Sequence, residues 1–68
     1  MAAKRKKAEV RLAEARLTHK LWVDAGMEND RSAMFLRDMS ARLDRRKGIS
    51  AGQRKYLDSL IDLGAPER

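Results

Sequence analysis

The chain has 68 residues, no cysteine, a single histidine and a formal net charge of +6, from 16 Lys and Arg against 10 Asp and Glu. A chain of this size buries only about 60% of the surface it exposes when unfolded, so it allows one domain with a thin core. Neither a disulfide nor a structural metal is on hand to staple it, because His19 has no second imidazole or thiolate to share an ion with. No apolar run approaches the ~20 residues needed to cross a bilayer, and the basic N-terminal stretch is followed by mixed charge, not by the apolar core of a signal peptide. The expectation is a soluble, cytoplasmic protein without a membrane partner.

Three glycines divide the chain. Gly26, Gly48 and Gly64 each close a stretch without internal proline, where a helix would end through a left-handed residue. The first segment, from about Ala3 to Ala25, is rich in Ala, Leu, Lys, Arg and Glu, all strong helix formers. Its apolar residues fall on two faces. Val10, Ala13, Leu17 and Leu21 make one stripe, and Leu12, Ala15, Trp22 and Val23 lie broadly opposite, with His19 among them. One stripe suffices to pack on a small scaffold, so the other is left to fold over an edge of the core or to meet a partner. Leu12, Trp22 and Val23 are the residues expected to form such a protein interface. For Trp22 two roles stay open: the largest single source of buried area in the fold, or the anchor of a contact with another protein.

The second helix is expected to start after Asn29 or Asp30, either of which can cap it, and to run to about Lys47. It carries one apolar stripe of Phe35, Leu36, Met39 and Leu43. The third opens with Ser50 as cap and Gln53 three residues on, the spacing of a reciprocal capping box. Tyr56 or Leu57, with Leu60, Ile61 and Leu63, form its apolar face, and Pro66 prevents continuation past Gly64. No stretch alternates with period two. The reading is an all-α fold of three helices, a long basic N-terminal helix plus a C-terminal helical hairpin, in one domain over residues 1–68, with residues 1–7 a basic tail expected to fray.

The charge is unevenly placed. Residues 1–20 carry Lys4, Arg5, Lys6, Lys7, Arg11, Arg16 and Lys20 against Glu9 and Glu14, and residues 45–55 carry Arg45, Arg46, Lys47, Arg54 and Lys55 with no acid, while the stretches between and after them are mildly acidic. Two basic blocks suggest a polyanion such as nucleic acid; the alternative is that they only keep a small protein soluble. The second block surrounds the start of the third helix, whose free N–H groups and dipole also favour anions. Lys4, Arg5, Lys6, Lys7, Arg45, Arg46, Lys47, Arg54 and Lys55 are therefore the candidate nucleic-acid contacts. They suit backbone contact better than base readout, because Asp58 and Asp62 follow on the same helix and a deep groove would repel them. Asp58 and Asp62 themselves read as a solvated face.

No Ser, His and Asp arrangement, phosphate-cradling glycine loop or cluster with metal-ligand spacing points to catalysis or a cofactor. The expectation is a non-enzymatic binding protein.

The segment Ile49 to Ile61, with Ser50 as cap, then Gln53, Tyr56 with Leu57, and Leu60, resembles a short helical element of small phage proteins and of the ends of larger phage DNA-metabolism proteins. With Phe35-Leu36-Arg37-Asp38-Met39 before it, the C-terminal half is similar to a paired-helix module of tailed phages. This resemblance implies a phage-encoded accessory protein acting in the host cytoplasm in DNA replication, recombination or transcription, and it transfers no active residue. The partner is then nucleic acid or, alternatively, a host or phage protein for which the chain is an adaptor or inhibitor; a homodimer through the spare stripe is a third possibility.

Overall fold

In the computed structural model, residues 7–66 are described, and they form three α-helices: α1 (Ala8–Asp24), α2 (Arg31–Asp44) and α3 (Ala51–Leu63). The expected start of the first helix near Ala3 lies outside the described residues. Lys7, with φ −69° and ψ 150°, is extended and forms the N-cap, so the described helix begins at Ala8. Asp30 caps α2 by accepting from the Ser32 N–H at 2.9 Å, which settles the choice between Asn29 and Asp30. Both halves of the box at the start of α3 are present: Ser50 Oγ accepts from the Gln53 N–H, and Gln53 Oε1 accepts from the Ser50 N–H.

Two helix ends close in the same way. After α1, Gly26 sits at φ 76°, its N–H donates to the Val23 carbonyl and the Met27 N–H donates to the Trp22 carbonyl. This is the paired closure that satisfies the last carbonyls of a helix. After α2 the same pair of bonds forms, Arg46 N–H to Leu43 and Lys47 N–H to Arg42, but the left-handed residue is Arg46 at φ 59°. Gly48 was the expected terminator and does not take that conformation. The helix therefore ends at Asp44, three residues before the expected end near Lys47.

The core takes residues from all three helices. Ala15 and Trp22 come from α1, Ala33, Leu36 and Met39 from α2, and Leu57 and Leu60 from α3, with Met27, Phe35, Leu43, Ile49 and Ile61 packed around them. Packing is most extensive between α1 and α2, and α3 lies against both. The principal pair is thus α1 and α2, not the α2–α3 hairpin. Small side chains on the buried faces, Ala15 and Thr18 on α1 and Ala33 and Ser40 on α2, suit a close approach of two backbones. The two buried hydroxyls are satisfied without a partner helix, Thr18 by the Glu14 carbonyl at 2.8 Å and Ser40 by the Leu36 carbonyl at 2.7 Å.

Polar ties fix α1 against the other two helices. Arg11 forks onto Asp58 of α3 through two bonds of 2.9 and 3.2 Å, and Arg16 reaches Asp44 of α2 at 2.9 Å. The expectation that Asp58 belongs to a solvated face is corrected by this ion pair; Asp62, one turn later, is exposed. No described helix is long and apolar enough to cross a membrane.

Candidate nucleic-acid interface

The closure at Arg46 turns the chain sharply after α2, and Ser50 starts α3 four residues later. Arg45, Arg46 and Lys47 are therefore held between the end of one helix and the beginning of the next, all three exposed. The start of α1 borders this turn. Lys7, Arg11, Arg46, Lys47 and Arg54 line a groove of about 810 Å³ together with the acids Glu9 and Asp44, and Leu12, Leu43 and Ile49 supply its apolar part.

Two of these charges are compensated locally, Arg11 by Asp58 and Asp44 by Arg16. Lys7, Arg46, Lys47 and Arg54 make no ion pair among the described residues, and Glu9 is the acid left beside them. The two basic blocks, far apart in sequence, thus converge: Lys7 comes from the first, and Arg46, Lys47 and Arg54 from the second. Lys4, Arg5 and Lys6 lie outside the described residues. At the start of α3, the cap engages the Gln53 N–H, while the N–H groups of Ala51 and Gly52 have no partner among the described residues. Those donors and the helix dipole add positive potential beside Arg54.

Lys47 also lines a second, smaller concavity, with Arg42, Arg45, Gln53, Phe35 and Asp38 among its walls. Phe35 meets Tyr56 edge to face at a ring separation of 4.8 Å, and Tyr56 is 47% exposed. Leu57, not Tyr56, is the buried residue of that pair. Lys55 is exposed on α3 and lines neither hollow.

The expected protein interface lies on the packed side of α1. Trp22 is 6% exposed in the core and its Nε1 donates to the Gly64 carbonyl, while Leu12 and Val23 are half-buried, Leu12 facing the cationic groove. His19 is half-buried on the same side. The solvent stripe is the other one: Val10, Ala13, Leu17 and Leu21 are exposed, Leu17 at 62%. The sequence places Phe35 and Tyr56 on the apolar faces of the two helices that flank the basic turn, and the structure brings the two rings together.

Among the described residues no group of three or more His, Asp or Glu is placed to hold a metal ion. The chain matches no protein-family model, and no curated protein or solved structure matches it significantly.

Proposed function

We propose that the chain is a small non-enzymatic accessory module that binds nucleic acid through its phosphates, without base-specific readout, at the groove bordered by Lys7, Arg46, Lys47 and Arg54. The observation that carries this is the convergence of cations from both basic blocks, not paired to local acids, on one concave surface at the start of a helix. Cations that served solubility alone would gain nothing from clustering, since like charges held together repel. The phage type of accessory protein, serving replication, recombination or transcription in a host cytoplasm, rests on the resemblance of the C-terminal half.

Binding of labelled mixed-sequence DNA and RNA across a salt series tests the reading. Each phosphate neutralised releases counterions, so four contacts give a log–log slope of about −3 to −4. Charge reversal at Lys47 and Arg54 together should flatten that slope. No detectable binding at ~50 mM salt removes the proposal.

A second reading, a protein-binding adaptor or inhibitor, is favoured by a different observation. Val10, Leu17 and Leu21 form an exposed apolar stripe along α1, at 46%, 62% and 37% exposure. Affinity capture from a host lysate with and without nuclease separates the two: partners that survive nuclease favour the stripe, and partners lost with it favour the groove.

A further inference from the structure

We infer that the cationic surface is built for a single nucleic-acid strand in preference to a duplex, with Tyr56 as the ring on which a base stacks. The inference rests on the nucleic-acid reading above and specifies its ligand. Three observations carry it. The cations line a hollow that Leu12, Leu43 and Ile49 line as well, so a ligand whose phosphates meet the cations also meets apolar surface against which unpaired bases can lie. A duplex keeps its bases stacked inside and presents a convex, charged exterior, which such a hollow does not complement.

The second observation is continuity. Lys47 belongs to both hollows, so a positively charged track runs from Lys7 and Arg54, across the turn, to Arg45 and Arg42. An extended strand can follow a bent track of this kind.

The third is the aromatic pair at the far end. Phe35 lines the second hollow with Arg42 and Arg45, and the Tyr56 ring packs edge to face on Phe35 with its hydroxyl 3.3 Å from Ser32 Oγ, so an exposed aromatic is held in one orientation against a wall of that hollow. Basic grooves joined to aromatic platforms are the general means of holding single strands, because every base has a face to stack. Asp38 lines this end too, and Arg37 lies 3.6 Å from its carboxylate and offsets its charge.

The test is fluorescence anisotropy with a labelled oligothymidylate and with a mixed-sequence duplex of the same length, both at ~50 mM salt. The strand should bind roughly 10-fold more tightly than the duplex. Tyr56→Leu keeps an apolar side chain against Phe35 and should weaken strand binding by roughly 10-fold, Tyr56→Trp should keep it, and neither change should alter duplex binding. Thermal melts of both variants check that the fold is intact. Equal binding of strand and duplex, or strand binding indifferent to Tyr56→Leu, overturns this inference and leaves the phosphate-binding reading standing. Failure to bind either probe overturns both.

Discussion

The indole Nε1 of Trp22 donates to the carbonyl oxygen of Gly64 at 3.2 Å, so the last turn of α1 is fastened to the residue that terminates α3. Gly64 can present that carbonyl because it leaves the helix at φ 74°, a conformation that costs glycine nothing. The bond and the burial of the ring act together: Trp22 is the largest side chain of the core and the one that joins the two helix ends. Trp22→Phe, which keeps most of the burial and loses the donor, should cost about 1–2 kcal/mol. Trp22→Ala should cost about 3–5 kcal/mol, close to the whole stability of a domain this small. Urea denaturation followed by circular dichroism reads both. A Trp22→Ala variant that melts like the parent would show that the ring is not part of the core.

What the sequence made legible, and what it did not, follows from how far each residue's surroundings are local. The capping box of Ser50 and Gln53, the stripe of Phe35, Leu36, Met39 and Leu43, and the terminating roles of Gly26 and Gly64 depend on neighbours within a turn or two, and all are present as read. The orientation of α1 depends on partners forty and more residues away. Its two apolar stripes are equivalent by periodicity, and the face that packs is the one carrying Ala15 and Trp22, with Arg11 beside them. That face packs because Asp58 waits opposite Arg11 and the Gly64 carbonyl opposite Trp22, two facts of tertiary structure. The basic blocks were legible as charge; their meeting in one groove was not, since it requires the start of α1 to lie beside the α2–α3 turn.

The Arg11–Asp58 pair should be worth far more than Arg16–Asp44, although both are 2.9 Å long. The side chains are 13% and 33% exposed in the first pair and 58% each in the second. A forked, partly buried guanidinium–carboxylate contact escapes most of the screening that reduces an exposed one. A double-mutant cycle with Arg11→Met and Asp58→Asn should return a coupling of about 1–3 kcal/mol. The corresponding cycle at Arg16 and Asp44 should return about 0.5 kcal/mol or less. Comparable couplings at the two sites would contradict the burial argument.

Leu17 offers the cleanest access to the exposed stripe. It is 62% exposed and belongs to no packed cluster, so Leu17→Lys should change stability by less than about 0.5 kcal/mol. Any self-association or protein partner that uses the stripe should be lost with it, while nucleic-acid affinity should hold or rise slightly with the added charge. Sedimentation of parent and variant across a concentration series reads the first effect. If a dimer persists unchanged in Leu17→Lys, the stripe is not its interface.

Arg46 sets stability against binding at a single position. At φ 59° it holds a left-handed conformation that disfavours a side chain by roughly 1 kcal/mol, at a helix end where glycine is the usual occupant. Gly48, two residues on, has no such need: it is outside the left-handed region, and a Cβ there would meet nothing within 4 Å. Arg46→Gly should therefore stabilise the fold by about 0.5–1 kcal/mol, a rise of several degrees in Tm, and Gly48→Ala should be tolerated or mildly stabilising. The binding expectation runs the other way. Arg46 lines the cationic groove without an acidic partner among the described residues, so its loss should weaken nucleic-acid binding and reduce the salt slope by about one unit. The proposed contact with phosphate gives a reason for a strained arginine where glycine would be more stable. A variant that gains stability and binds as before would place Arg46 outside the interface and leave its strain without a functional counterpart.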